Sequence, residues 1–343
     1  MLPAVDNKTD FHVHPQLLLD KDGEKLVVIV KATFEQAKDG AFECAPEDGM
    51  RGLRAADVPW GKPEIPSIAY PADICLRKPG TDVIVVAKAY APAGKSVTSF
   101  DVLVQVGSAI KKPLRIFGPR VWTQGGLGLT KPGPIAEIEM RYDHAFGGFD
   151  DSDPADLLEE PRNPVGSGMV RDGNALSLKN APSIEDVEIL IGSFRTRPPP
   201  AGICAIGRSY EPRRKYAGTY DKLWMETRAP LPPEDFDDRF NNCASPGMTL
   251  ATPLQGGEEV ALMGLVPGGG GLKFTLPRVP IEITFEAKGK DPIVARPHLD
   301  TLLIDLLEPS EIKPLAFEMM WRANVRPPRK MKDMKVIVRE RKK

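Results

Sequence analysis

Glycine and proline residues interrupt this chain so often that few stretches can form a long helix. The sequence has 31 glycines and 35 prolines among 343 residues. Proline breaks the interior of a helix and glycine destabilises it, whereas both are common in the turns between short strands. Few segments keep a helical spacing of apolar residues for more than two turns. The sequence therefore predicts a mainly β protein, with two packed, sandwich-like β-sheet units, short helices and long Gly/Pro-rich loops.

Short runs rich in valine and isoleucine supply the predicted strands. Residues 26–34 follow the turn signal Asp22-Gly23, and Asp39-Gly40 predicts a hairpin that leads into residues 41–44. Within residues 96–110, apolar side chains recur at every second position from Phe100 to Val106, as expected for a half-buried strand. The same signals predict further strands at residues 72–77, 81–91, 114–117, 135–142, 258–266, 272–276, 281–286, 301–307 and 315–324.

The best candidate for a domain boundary is the stretch 118–134, which holds five glycines and three prolines. Such a composition is typical of a connection rather than of a strand or helix. It divides the chain into a predicted N-terminal β-sheet domain, residues 1–134, and a predicted C-terminal β-rich domain, residues 135–343. The second of these carries the most distinctive sequence motifs.

Charge and hydropathy indicate neither a nucleic-acid nor a membrane partner. The formal net charge is −1, and the longest apolar runs have the length of a strand. Residues 326–343 are rich in lysine and arginine, which we interpret as a solvated end around a last strand at residues 336–338. Residues 1–10 lack a basic segment followed by an apolar run, so we expect no signal peptide and a cytoplasmic protein.

No residue pattern specifies an enzyme, and no cofactor is expected. The four cysteines, Cys44, Cys75, Cys204 and Cys243, include no Cys-x-x-Cys pair, which excludes a zinc ribbon and predicts free thiols. Cys243 with a distant histidine could form a thiol nucleophile, but a buried, inert thiol is the simpler interpretation. One alternative is a metal-assisted hydrolase, because hard cations bind several carboxylate oxygens. Its candidate residues are Asp143, His144, Asp150, Asp151, Asp153 and Asp156.

Aromatic and charged residues are most concentrated in residues 215–242. Asp221 is a suitable N-cap for a short helix at residues 222–228, which would place Trp224 and Arg228 on one face. Tryptophan, tyrosine and arginine dominate the hot spots of protein interfaces. The stretch is therefore either a rigid loop anchored to a core or a partner-binding loop. The predicted partner-binding residues are Tyr216, Tyr220, Asp221, Trp224, Arg228, Phe236 and Arg239.

Three ordered runs of residues carry a family resemblance. The first comprises Tyr216-Ala217-Gly218-Thr219-Tyr220-Asp221, Trp224, Pro232-Pro233-Glu234-Asp235-Phe236-Asp237 and Arg239-Phe240-Asn241. The second comprises Tyr142, Ala145-Phe146-Gly147-Gly148, Asn163-Pro164-Val165-Gly166 and Gly168, and the third Gly118-Pro119-Arg120 and Trp122. In these runs the chain resembles the Domain of Unknown Function 2169 family, from about residue 27 to about residue 321.

The resemblance implies a bacterial cytosolic adaptor or chaperone for type VI secretion. Members of the family are similar to one another in loading a toxin-bearing effector onto the spike protein of the injection machine. The expected partners are therefore an effector toxin and a spike protein, and the expected function is not enzymatic. A structural component of the injection machine is a further alternative.

Overall fold

The computed structural model describes residues 2–61, 67–123, 128–153, 155–171, 179–307 and 315–341. Strands dominate these parts of the chain, and Lys222–Thr227 (α1) is their one α-helix. The predicted mainly β class is confirmed. The remaining helical segments are short 3-10 turns at Pro92–Gly94, Tyr142–His144, Arg214–Tyr216, Asp238–Asn241, Pro267–Gly269 and Met331–Asp333. Lys342 and Lys343, at the predicted basic end, lie outside the described residues.

The largest sheet in the described part of the chain has seven strands, numbered here in chain order. In spatial order they are Thr249–Leu250 (β17), Thr81–Val86 (β7), Leu299–Asp305 (β22), Ala316–Val325 (β23), Gly23–Gln36 (β3) and His12–Asp20 (β2), and Phe42–Cys44 (β4) also pairs with β3. Neighbouring strands are antiparallel, except that β7 and β22 are parallel. The longest strand, β3, pairs with β2 and β23.

Two further sheets and several strand pairs complete the described fold. One sheet has the order Ile184–Asp186 (β16), Ile110–Phe117 (β10), Ser99–Val106 (β9), Glu259–Met263 (β18) and Gly271–Thr275 (β19). The other has the order Ala4–Asn7 (β1), Met334–Glu340 (β24), Ile281–Ala287 (β20) and Ile293–Ala295 (β21). The pairs are Val58–Pro59 (β5) with Ile68–Tyr70 (β6), Lys88–Tyr90 (β8) with Glu137–Glu139 (β11), Phe146–Gly147 (β12) with Ser167–Gly168 (β15), and Phe149–Asp150 (β13) with Leu158–Glu159 (β14).

The boundary predicted after residue 134 does not separate two sheets. Each of the three larger sheets combines strands from both sides of that point, for example β3 with β23 and β9 with β18. One apolar cluster likewise includes Val28 and Val104 together with Phe317 and Val336. Long-range strand pairing outweighs the local glycine and proline signal here, because only pairing across the boundary buries the apolar strands.

The two faces of the largest sheet are buried in different ways. One face is apolar, and there the rings of Phe34 and Phe317 stack with centroids 5.1 Å apart. The opposite face carries Lys31 of β3 and Glu318 of β23, whose side chains are fully buried and lie 3.0 Å apart. Asp73 lies 2.8 Å from the same ammonium group. Buried charges are tolerated only when paired, so this face requires a polar cover.

Residues 72–77 supply part of that cover and form no strand, so the strand predicted there is wrong. The Asp73 carboxylate accepts hydrogen bonds from Lys31 and from the Arg54 backbone N–H, at 2.8 and 2.9 Å. The Asp73 carbonyl oxygen accepts from Arg322 at 3.1 Å. Because side chains of the sheet and the backbone N–H of Arg54 satisfy these groups, the segment is held on the sheet without a strand partner.

Other predicted strands are confirmed with shifted ends. Residues 96–110 include β9 but not one continuous strand, because Gly107 adopts a φ of +52° in the turn that leads to β10. The predicted alternation in β9 is confirmed, since Phe100, Val102, Val104 and Val106 are all buried. Residues 81–91 divide into β7 and β8, and of residues 135–142 only β11 is a strand.

Candidate protein-binding site

Residues 215–242 fold into one cross-tied loop, the 215–242 loop. Its helix α1 begins after Asp221, whose Oδ1 accepts a hydrogen bond from the Trp224 backbone N–H at 2.8 Å. This confirms the predicted N-cap. The helix ends at Thr227, one residue earlier than predicted, and Arg228 is its C-cap. A helix of six residues has little stability alone, so its shape depends on the contacts of the surrounding loop.

Two side-chain and backbone ties hold the ends of the loop together. Asp235 accepts hydrogen bonds from the Thr219 backbone N–H at 2.9 Å and from its hydroxyl at 2.7 Å. The Asp237 N–H donates to the Tyr216 carbonyl oxygen at 3.0 Å. Gly218 has a φ of +83°, and an added Cβ would lie 2.9 Å from both Asp235 and Pro233. Only glycine allows this close approach, so the loop has one compact shape.

Trp224 is half-buried and fixed at both ends of its ring. Its indole N–H donates to the Leu231 carbonyl oxygen at 2.9 Å. The Tyr220 ring meets it edge to face, with centroids 4.7 Å apart. Tyr220 is 56% exposed, so the aromatic pair extends from the loop interior to the surface. The aromatic pair is therefore a rigid surface, and a rigid surface loses little conformational entropy when it is covered.

Arg228 is engaged inside the molecule rather than directed at a partner. It donates to the carbonyl oxygens of Pro232 at 2.6 Å and Lys21 at 2.9 Å, and to Glu234 at 3.2 Å. Its side chain is 21% exposed. The two residues of the predicted surface therefore differ in role. The Arg228 side chain holds the loop in position, and the loop carries Trp224.

Phe236 lies at the inner side of the loop. Its ring contacts that of Phe240 with centroids 5.7 Å apart, and the buried Arg213 lies 5.3 Å from the Phe240 centroid. A cavity of about 190 Å³ beneath these rings is also lined by Leu18 and Leu76. The half-buried Phe236 thus anchors the loop beside β2.

Tyr216 and Arg239 form a second exposed corner of the loop. The Arg239 guanidinium lies 4.3 Å from the Tyr216 ring centroid and pairs with Asp237 at 2.6 Å. The Arg239 side chain is 59% exposed. All seven predicted partner-binding residues therefore lie on one loop, with Tyr220, Asp221 and Arg239 exposed and the other four half-buried.

Leu223 and Met225 are two further exposed apolar residues of the 215–242 loop, although they do not stand out in the sequence. They are 66% and 68% exposed on α1. The available signal is the apolar run of Leu223, Trp224 and Met225, because three consecutive residues of a helix cannot all face the protein. Positions i and i+2 of a helix do not face each other, so Leu223 and Met225 expose apolar atoms on different sides of α1.

A groove of about 460 Å³, the α1 groove, separates the helix from residues 233–235. Its apolar lining includes Leu223, Trp224 and Pro233. Arg228 also lines the groove, and the acidic lining comprises Asp221, Glu234 and Asp235.

The second resemblance motif forms a packed structural unit. Asn163 donates hydrogen bonds from its amide to the carbonyl oxygens of Tyr142 at 2.8 Å and Phe146 at 3.0 Å. Gly148 has a φ of +85°, and an added Cβ would lie 2.4 Å from the Gly166 carbonyl oxygen. These residues are therefore required for close backbone packing between β12 and β15.

Asp143 and His144 are held by neighbouring side chains. Burial opposes ionisation of Asp143, but hydrogen bonds from Arg141, at 3.0 Å, and from Ser67 outweigh it and lower the pKa of the carboxyl. Burial lowers the pKa of His144. Asp150 is buried and accepts the backbone N–H groups of Ser152 and Arg171. Among the described residues, no three His, Cys, Asp or Glu side chains are arranged to hold a metal ion.

Cys243 has the environment of an unreactive thiol. It is buried, and its Sγ lies 3.7 Å from the Lys78 ammonium and 3.6 Å from the Asp82 carboxylate. Burial raises the pKa of the thiol to about 11, despite the neighbouring lysine. A nucleophilic cysteine requires a lowered pKa, so this site lacks the activation that thiol catalysis needs.

The comparison with protein families covers all the sites described above. The sequence model of the family described as "Uncharacterized protein conserved in bacteria (DUF2169)" matches residues 21–322. The chain belongs to the DUF2169 family. No curated protein and no solved structure matches this DUF2169 protein. Within the described residues, every helix is too short or too polar to cross a membrane.

Proposed function

We propose that this DUF2169 protein is a non-enzymatic adaptor or chaperone in the bacterial cytoplasm. It binds a toxin-bearing effector protein and helps to load that effector onto the spike of a type VI secretion system. The proposal is carried by the exposure of Tyr220, Leu223 and Met225 on one rigid loop. The choice of partner is supported by the resemblance of the chain to the DUF2169 family, which implies the loading of an effector for type VI secretion.

The exposed side chains suit a protein interface on physical grounds. Burying a leucine or methionine fully against a partner contributes roughly 1.5–3 kcal/mol. The hydrogen bonds of Trp224 and Arg228 fix the loop before binding, which reduces the entropic cost of association. Tyr220 adds a large apolar ring with a polar hydroxyl, a combination frequent at hot spots.

Binding to the effector is tested with two matched double variants. Leu223→Ser/Met225→Ser removes the exposed side chains of α1, and Ile293→Ser/Val294→Ser removes two side chains of similar exposure, 55% and 50%, from β21. A toxin that this protein captures in a pull-down from its native host is purified and titrated by calorimetry. We expect the first variant to lose affinity by about tenfold or more, and the second to bind as the wild type does. Equal affinities of both variants would place the interface elsewhere.

Loading is tested separately with purified spike protein. We expect the effector to associate with the spike only weakly alone and to co-migrate with it in size-exclusion chromatography when this DUF2169 protein is added. An effector that joins the spike equally well without this chain would contradict the adaptor function. Release of the chain from the final complex would distinguish an adaptor from a structural component.

A further inference from the structure

The charged side chains that line the α1 groove are mostly acidic. Of its lining residues, Asp221, Glu234 and Asp235 carry carboxylates and Arg228 carries the balancing cation. The Arg228 guanidinium already donates to two carbonyl oxygens and to Glu234. The Glu234 side chain remains 85% exposed beside it. Asp221 and Asp235 also accept hydrogen bonds within the loop. The exposed carboxylate of Glu234 is therefore the acceptor that the groove offers to a ligand, while its guanidinium is committed within the loop.

Apolar and aromatic side chains of the helix also line the groove. Leu223 is 66% exposed, and Trp224 is fixed with its indole N–H on Leu231. A cation that approaches a tryptophan face gains a favourable interaction with the ring, and an apolar side chain gains from contact with Leu223. With about 460 Å³, the groove has the size of pockets that bind whole small ligands, so it has room for more than one side chain.

We infer that the α1 groove binds a segment of the partner protein in which a lysine or arginine stands beside an apolar residue. This inference rests on the proposed function and names the partner chemistry for the same loop. An acidic segment or a nucleic acid would be repelled by the carboxylates, and a purely apolar segment would remove water from Glu234 without replacing its hydrogen bonds. A cationic and apolar segment satisfies both the acidic and the apolar lining of the groove.

The probes are labelled synthetic peptides that alternate leucine with lysine, and matched peptides in which glutamate or serine replaces each lysine. Fluorescence anisotropy measures their binding to the full chain at about 0.1 M and about 1 M salt, which shortens the screening length from about 10 to about 3 Å. We expect the lysine peptide to bind about tenfold or more tightly than the glutamate peptide, with the preference reduced at high salt. Equal binding of these peptides, or the absence of binding by any of them, would overturn the inference.

Three variants locate the effect. Glu234→Gln keeps an oxygen acceptor for Arg228 and removes the charge, and Glu234→Lys reverses it. Glu259→Lys is the control. Glu259 of β18 is also exposed and ion-paired, 3.8 Å from Lys273 of the neighbouring strand β19, and it does not line the α1 groove. We expect the lysine preference to fall with Glu234→Gln, to be lost with Glu234→Lys, and to remain with Glu259→Lys. A preference that persists in Glu234→Lys would overturn the assignment to this groove.

The effector separates this inference from the proposed function. If Leu223→Ser/Met225→Ser weakens effector binding while Glu234→Lys does not, the result supports the adaptor function and contradicts the inference that the groove binds a cationic segment. If neither variant changes effector affinity, the 215–242 loop is not the interface. Circular dichroism of each variant confirms that it is folded before binding is compared.

Discussion

Arg228 donates a hydrogen bond to the carbonyl oxygen of Lys21 at 2.9 Å, although 207 residues separate them in the chain. Lys21 lies in the turn between β2 and β3. The same guanidinium holds Pro232 and Glu234 of its own loop. The Arg228 side chain therefore ties the 215–242 loop to the turn between β2 and β3 of the largest sheet.

Replacement of Arg228 should loosen this loop. For Arg228→Ala we expect a loss of about 1–3 kcal/mol of unfolding free energy and faster amide hydrogen exchange within residues 216–240. Arg228→Lys should recover little, because one ammonium group cannot reproduce the planar fork of donors. The control is Arg239→Ala, whose exposed side chain contacts Asp237 and Tyr216 within the loop. Equal exchange rates in both alanine variants would contradict the positioning role.

Trp224→Ala should affect both stability and binding. Because the side chain is half-buried, we expect a loss of roughly 1–3 kcal/mol, less than the 3–5 kcal/mol typical of a buried tryptophan. Effector affinity should fall by about 2 kcal/mol, roughly thirtyfold. Melting temperature and affinity are measured on the same variant. A folded Trp224→Ala protein with unchanged affinity would remove Trp224 from the interface, and global unfolding would identify it as core.

Glu318 should make stability depend on acid pH. Burial opposes its ionisation, but Arg54 and Lys31 lower its pKa to about 2 from the model-compound value of 4.5. A lowered folded-state pKa stabilises the protein above the unfolded-state pKa, and this contribution is lost as pH falls from about 4.5 to about 2. The difference between these values corresponds to roughly 3 kcal/mol.

The measurement is urea unfolding at a series of pH values. We expect Glu318→Gln to be less stable at neutral pH by about 3 kcal/mol or more, since Lys31 and Arg54 lose a buried partner. Its stability should also decline less between pH of about 4.5 and about 2 than that of the wild type. Glu259→Gln, at an exposed ion pair, should keep the wild-type slope. Identical slopes for wild type and Glu318→Gln would refute the role of this carboxylate.

Alanine substitution at two glycines with similar φ angles distinguishes the energetic cost of a left-handed backbone from that of close packing. Gly289 has a φ of +75° with no atom within 4 Å of an added Cβ, whereas Gly148 has a φ of +85° and faces the Gly166 carbonyl oxygen at 2.4 Å. Gly289→Ala should cost about 1–2 kcal/mol, the conformational penalty alone. Gly148→Ala should cost about 2 kcal/mol more, because the backbone must move. Equal losses in thermal unfolding would show that the close approach is relieved without cost.

Local features of the candidate site follow from short segments of sequence. The Asp221 cap, the short helix and its early end near Pro230 all depend on neighbours within a few residues, so they could be predicted. The sequence could not predict which of Leu223, Trp224 and Met225 are exposed, because exposure depends on which distant residues cover a helix. The same limit applies to Arg228, whose partner Lys21 lies far away in the chain.

The sequence by itself determined that this protein is mainly β, where most strands lie, and how the 215–242 loop starts its helix. These properties arise from backbone preferences and apolar spacing within single segments. Only the tertiary structure decided that Asp73 pairs with Lys31 where residues 72–77 cover the largest sheet, and that Glu318 joins the same ammonium group. It also decided that strands from both sides of residue 134 share sheets. Such pairings depend on contacts between segments far apart in the chain, because buried charges need partners and apolar strands need cover wherever the chain can supply them.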